Sequence, residues 1–181
     1  LYDGEGRVYI FEYDETHTHH SCTYEVVSEG VSAEKETLQN IPISQSKWWS
    51  EQILAGKPIL LDTLEQLPEA AADEYKILAV QGIRSLMVTP LMTGDHIWGY
   101  MGIDLVKNYH GWSNEDFQWF SSLGNIISIC IELRKAKDKV IREQAFLNNL
   151  FHFMPMGYIR MSIIRDENNK PCDYRVTDAN E

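Results

Sequence analysis

Cysteine is scarce in this chain. Cys22, Cys130 and Cys172 are the only three, and they are widely spaced. An odd, scattered set excludes a disulfide framework and a CxxC redox pair, and it favours a reducing compartment. Basic charge is also short: 16 Lys and Arg stand against 27 Asp and Glu, a formal net charge of −11. Such a surface repels phosphate backbones, so nucleic acid is not an expected partner. The one basic cluster, "RKAKDK" at 134–139, alternates with apolar positions and reads as a solvated helix face. Long apolar runs are missing too. None approaches the roughly 18 residues that a membrane span needs, and no signal peptide is visible. Direct membrane contact is therefore not expected, and the expected location is cytoplasmic. The chain starts without Met and stops in mid-pattern at "VTDANE", so it reads as a piece of a larger protein, whose membrane anchoring stays open.

What is present supports a packed core, with 44% hydrophobic and 24% charged residues. "RVYIFEYD", 7–14, and "CTYEVVSEG", 22–30, read as antiparallel strands. The polar stretch between them, with the histidines of "HTHHSC", reads as a solvated hairpin tip. A metal site would need three or four ligands converging from rigid positions, which a mobile tip does not supply. "SQSKWWSEQILAGKP", 44–58, predicts a helix capped by Ser44 or Ser46 and closed by Gly56. "ILLD", 59–62, predicts a short buried strand, and "LPEAAADEYKILAVQG", 67–82, a second helix ending at Gly82. Strands follow over 83–92 and 96–106, joined by a turn at 93–95. Pro90 suggests an edge or bulge, and Gly99 and Gly102 suggest a close approach of another backbone or of a ligand.

From Ser113 no proline occurs until Pro155, and Ser113 with Asp116 forms a near capping box. A helix this long suggests a coiled coil or connector. Phe117, Phe120, Leu123 and Ile127 give its first half a wide apolar arc, suited to packing on the sheet. Ile126, Ile129, Leu133, Ala136, Val140, Glu143, Leu147 and Leu150 form a heptad seam, apolar except at Glu143. "GYIRMSIIRD", 157–166, and "YRVTDANE", 174–181, read as strands around a turn at 167–173.

Taken in order, "RVYIFEYD", "TYEVVSEGV", "LQNIPIS", "WWSEQILAGKPILL", "ILAVQGIRSLMVTPL", "IWGYMGIDLV" and "WSNEDFQWFSSLGNIISICIE" resemble a GAF domain. The likeness is to the type found in bacterial sensor histidine kinases. The tail from Ala145 resembles the opening of a PAS domain. The resemblance implies an α+β fold, a central antiparallel sheet flanked by helices with a long C-terminal signalling helix. It implies a GAF domain over 1–135, its first helix lying upstream of Leu1, a coiled-coil-like connector over 136–153, and a truncated PAS domain over 154–181. Without that first helix one sheet face would lose cover.

The resemblance also sets what to look for. The NKFDE-type motif of cyclic-nucleotide GAF domains is absent. Cys130 in mid-helix and Cys22 in an early strand do not fit a bilin attachment site. Three scattered cysteines do not suit the sulfoxide reductases of this fold, and no kinase glycine box or phosphoacceptor segment is present. No catalytic residue, metal ligand or named cofactor is therefore expected, and the fragment reads as a non-enzyme.

The fold places ligands between one sheet face and the middle helices. Tyr9, Phe11, Trp48, Trp49, Arg84, Tyr100 and Asp104 are the candidate ligand-binding residues. A buried Asp104 needs a partner, for which Arg84 or an indole N–H of Trp48 or Trp49 is available. The plainer alternative makes the tryptophans core and Asp104 a structural acceptor. The expected function is a sensory input module that dimerises through helix 113–153, takes a small ligand of unknown identity, and passes its state to downstream PAS and output domains. A ligand-free dimerisation spacer is the alternative.

Overall fold

The computed structural model describes residues 6–153 and 157–179. The expected break at Pro155 and the chain ends at Leu1 and Glu181 lie outside the described residues. The chain divides into two compact units, Leu1–Glu132 and Leu133–Glu181.

The first unit is built on six antiparallel strands: β1 (Gly6–Tyr13), β2 (His19–Val27), β3 (Ile41–Pro42), β4 (Ile59–Leu61), β5 (Ser85–Thr93) and β6 (His96–Leu105). Their order across the sheet is β3-β2-β1-β6-β5-β4. Two short helices, α1 (Lys47–Leu54) and α2 (Ala72–Val80), lie in the β3–β5 segment, and α3 (Asn114–Phe153) follows β6. This is the antiparallel α+β arrangement expected of the sequence. Strand alternation sends side chains to opposite faces and so makes two cores. On one face Tyr9, Phe11, Leu86, Val88 and Tyr100 pack with Trp49 and Ile53 of α1 and Leu78 of α2. On the other, Met87, Leu91, Met101 and Ile103 pack with Phe120 of α3.

The helix ends follow backbone chemistry. Gly56 (φ +73) and Gly82 (φ +72) take the left-handed conformation that closes α1 and α2. After α1 the Lys57 N–H returns to the Gln52 carbonyl, and after α2 the Ile83 N–H returns to Leu78. At α3 the capping box is made with Asp: Asp116 N–H donates to Ser113 Oγ (3.1 Å) and Ser113 N–H to the Asp116 carboxylate (2.9 Å). The start of α1 differs from expectation. Residues 43–46 form a 3₁₀ turn, and Ser46 makes no capping bond. Pro90 lies beyond the part of β5 that β4 covers, Leu86–Val88, and a register shift follows at Leu91/Met92.

Two further expectations shift. β2 begins at His19, earlier than the predicted Cys22, so two of the histidines sit in the sheet. β3 was not predicted, because two residues are too short to show a period. The β2 side of the α3-facing surface is thinly covered: Tyr24 and Val26, cross-strand partners of Ile10 and Val8, are 54% and 62% exposed.

α3 packs through Phe117, Phe120, Gly124, Ile127, Ser128 and Ile131, spaced by a helical period. From Glu132 to Leu150 every residue is exposed, the 134–139 basic cluster included. Every member of the predicted seam lies off the packing stripe and is exposed. The second unit holds the end of α3 and an antiparallel hairpin of β7 (Ile159–Arg165) and β8 (Pro171–Ala179). β8 starts three residues before the strand predicted at Tyr174, and the turn tightens around Asn169 (φ +62).

Candidate functional site

A cavity of about 100 Å³ opens between the sheet and the β3–α2 segment. Its sheet side is made by β1, β2 and β6. Arg7, Tyr9 and Phe11 alternate along β1, His20 and Cys22 along β2, and Tyr100 and Asp104 along β6. The opposite wall comes from the 34–46 segment, from Trp49 of α1 and from Glu74 and Leu78 of α2.

The apolar part of the wall is aromatic. Phe11 and Tyr100 stack with centroids 5.0 Å apart and planes 6° apart. Tyr9 meets Phe11 edge-on at 5.6 Å, and Trp49 meets Tyr100 at 6.2 Å. Gly102 makes this packing possible. A Cβ there would fall 2.3 Å from the Tyr9 ring, so only glycine lets the ring lie across β6. The close approach expected at Gly102 is thus made by an aromatic side chain, while at Gly99 it is the Phe11 carbonyl on the next strand.

One basic and two acidic side chains are buried on this wall. Arg7 is 3% exposed, Asp104 4% and Glu74 4%. The Arg7 guanidinium is pinned from one side. Nε donates to the Ser32 carbonyl (2.8 Å), and Nη2 donates to Ser32 Oγ (3.0 Å) and the Gln81 carbonyl (3.4 Å). Glu34 stands 3.7 Å from Nη2. Nη1 is buried and has no partner among the described residues. Asp104 accepts the Tyr9 hydroxyl at 2.9 Å, and Glu74 accepts the Trp49 backbone N–H at 3.1 Å. Burial pushes the Asp104 carboxyl up to about 7, against the Tyr9 hydrogen bond and the Arg7 charge, which favour the ionised form. Burial and the Asp104 carboxyl together raise the Tyr9 phenol well above its ordinary range.

The seven expected ligand-binding residues separate into two groups. Tyr9, Phe11, Trp49, Tyr100 and Asp104 come together on the cavity wall. Trp48 does not line the cavity: it is half-buried and packs on the outer part of the same core. Arg84 points to solvent, its guanidinium 5.4 Å from the Tyr109 ring centre. The partner of Asp104 is therefore Tyr9, with Arg7 as the nearby cation, and not Arg84 or an indole. Arg7 was within reach of sequence reasoning, because it stands two before Tyr9 and four before Phe11 on one strand face. Glu74 was not, because it lies on a helix whose register against the sheet the sequence does not reveal.

The "HTHHSC" histidines separate. His17 (φ +51) occupies the turn and donates Nε2–H to the Ile97 carbonyl at 2.9 Å. His19 sits beside Asp14 and Thr18. His20 is buried on the cavity wall, 3.2 Å from the Tyr100 hydroxyl, and burial lowers its pKa to about 4, so it is neutral. The expectation of a wholly solvated tip is corrected at His20, because β2 starts early enough to turn that side chain inward. Among the described residues no group of three or more His, Cys, Asp and Glu is placed to hold a metal. None of their helices is long and apolar enough to cross a membrane.

The six-stranded antiparallel sheet thus carries a cavity under its middle helices on one face and the first half of α3 on the other. The chain belongs to the GAF domain family, whose pattern it matches over residues 4–131. GAF domains are generally sensory, non-catalytic modules. The chain is 31% identical over 105 residues to the methanogenesis regulatory histidine kinase FilI of Methanothrix harundinacea, strain 6Ac. That stretch is 57% of this chain and 11% of that kinase.

Solved structures share the fold. The photoproduct state of GAF3 from Slr1393 of Synechocystis sp. PCC6803 has a TM-score of 0.64 at 14% identity, over 74% of this chain and 86% of that one. The far-red absorbing dark state of JSC1_58120g3 with bound biliverdin IXa has a TM-score of 0.59 at 14% identity, over 74% and 83%.

The residues here do not fit a tetrapyrrole. Cys22 is the cysteine on the cavity wall; it is 1% exposed, and burial pushes its thiol up to about 11. A protonated thiol is a poor nucleophile. The cavity of about 100 Å³ is also small for a tetrapyrrole.

Proposed function

We propose that this chain is the sensory input part of a signal-transduction protein of the histidine kinase kind, and that it binds a small molecule in the cavity beneath α1 and α2. The observation that carries this reading is the burial of Arg7, Asp104 and Glu74 around one cavity. A cavity kept only for packing would be filled by apolar side chains, because burying charge costs several kcal/mol unless it is compensated. The matched kinase supports the output side of the reading.

In this reading the ligand acts on α3. The β6 strand bears the cavity on one face, through Tyr100 and Asp104, and the Phe120 contacts on the other, through Met101 and Ile103. A ligand that favours one packing of the sheet on α3 over another shifts the state of the helix, by no more than its difference in affinity for the two. The exposed seam from Ile126 to Leu150 is the dimer surface, and the β7–β8 hairpin is the opening of a PAS domain. The test is mass spectrometry of purified protein under native and denaturing conditions. A small molecule present natively and released on denaturation is the expected result. An apo dimer that takes up nothing from a metabolite library would instead establish the ligand-free spacer, which the same exposed seam supports.

A further inference from the structure

The geometry points to the chemical class of the ligand: a small zwitterion, carrying one carboxylate and one ammonium group, with the carboxylate on Arg7, the ammonium between Asp104 and Glu74, and the carbon skeleton against Phe11, Tyr100 and Trp49. The inference rests on the proposal that the cavity is a ligand site.

Arg7 supplies the first half. Its Nε and Nη2 are held by Ser32 and Gln81, with Glu34 beside Nη2, which fixes the plane of the guanidinium and leaves Nη1 without a partner among the described residues. A fixed, planar, always-charged donor is the residue of choice for a carboxylate, and its orientation entropy is already spent.

The second half comes from the acids. Asp104 accepts a hydrogen bond from Tyr9 and Glu74 one from the Trp49 backbone, and among the described residues neither forms an ion pair. An ammonium group beside them would pair the carboxylates and draw Asp104 into its ionised form. The charge balance then excludes simpler ligands. A plain anion would meet Arg7 but face Asp104 and Glu74, with Glu25 and Glu34 also on the wall. A plain cation would leave Nη1 of Arg7 buried and unsatisfied. A zwitterion meets both demands and adds no net charge to the interior.

Size and surface agree. A cavity of about 100 Å³ suits a molecule well below the size of a nucleotide or a tetrapyrrole. The stacked Phe11–Tyr100 pair and the Trp49 edge present π surface to a short alkyl group or an alkylated ammonium.

Isothermal titration calorimetry on the full chain tests this. The probes are the small α-amino acids from glycine to valine and glycine betaine, with acetate and tetramethylammonium as the separate halves. At least one zwitterion is expected to bind one-to-one, at least about tenfold tighter than either half. Arg7→Gln and Glu74→Gln are each expected to weaken it by about 10- to 100-fold, the range for one charged hydrogen bond. Wild-type protein that binds no zwitterion, or binds acetate as tightly, overturns the inference, and this arm needs no variant to fold. If native mass spectrometry meanwhile captures a molecule of another class, the sensory reading stands without the zwitterion. If nothing binds in either experiment, both fall.

Discussion

At the scale of single residues, Asp104 dominates the behaviour of the cavity. Its folded-state pKa of about 7 lies above the value of about 4 for an exposed aspartate. Between those values the folded protein binds more protons than the unfolded chain, so stability falls as pH rises through the window and levels off above it. Asp104→Asn keeps the shape and the acceptor for Tyr9 but cannot ionise. Its unfolding temperature is expected to vary less than that of wild type between pH 5 and pH 8, with the variant gaining at pH 8 by an amount on the order of a few kcal/mol. Parallel pH profiles for the two proteins would show that Asp104 does not titrate in this range. Gly102 gives a second handle. Gly102→Ala puts a methyl onto the Tyr9 ring, so the ring must swing and release Asp104. A loss of about 1–3 kcal/mol in denaturant unfolding is expected, the usual cost of overpacking; an unchanged midpoint would mean that the ring has room to move. The sequence made part of this site legible. Strand alternation brought Tyr9, Phe11, Tyr100 and Asp104 to one face. It could have added Arg7 and, had β2 been started at His19, His20. Arg84 was misplaced because an arginine beside a strand can turn to either side, and Glu74 was missed because helix-to-sheet register is a tertiary property.

At the scale of elements, α3 divides into two lengths with different physics. Up to Ile131 it is held by the sheet. Gly124 sets the distance, since a Cβ there would come within 3.1 Å of Thr89 and 3.2 Å of Leu91. From Glu132 to Leu150 the helix has no cover among the described residues, yet Leu133, Val140, Leu147 and Leu150 are spaced for a partner and 46–65% exposed. In the proposed dimer, a second helix covers this seam. Glu143 interrupts the apolar seam and reaches toward Lys139 on its own helix, 3.9 Å away. Glu143→Leu is expected to tighten the proposed dimer at least about tenfold in sedimentation equilibrium, as burying two leucines would. Leu133→Asp with Leu147→Asp is expected to give a monomer. A dimer indifferent to both changes would move the interface off the seam. The elements themselves were mostly legible: alternation, glycine stops and the Ser113–Asp116 box placed strands, helix ends and the start of α3. What failed was local. The 3₁₀ turn displaced the cap at Ser46, and β3 is too short to have a period.

At the scale of the whole molecule, the two compact units draw their order from different sources. The unit ending at Glu132 holds all six strands of the main sheet and both of its cores, and it contains the family match almost end for end. The unit from Leu133 holds a bare helix and a two-stranded hairpin, and a lone hairpin is marginal in water. A chain truncated after Glu132 should therefore unfold in one cooperative transition. Its midpoint should lie within about 4 °C of the full chain, the shift that roughly 1 kcal/mol produces in a domain of this size. It should sediment as a monomer, because the truncation removes most of the seam. The complementary piece from Leu133 should show no cooperative transition by calorimetry. If the truncated chain instead fails to fold, the exposed face around Tyr24 and Val26 needs cover that the distal helix or its partner supplies, and sensing and dimerisation are one cooperative event. If it folds and binds the same molecule as the full chain, the cavity is complete within one unit, and the distal helix reads the bound state without helping to create it.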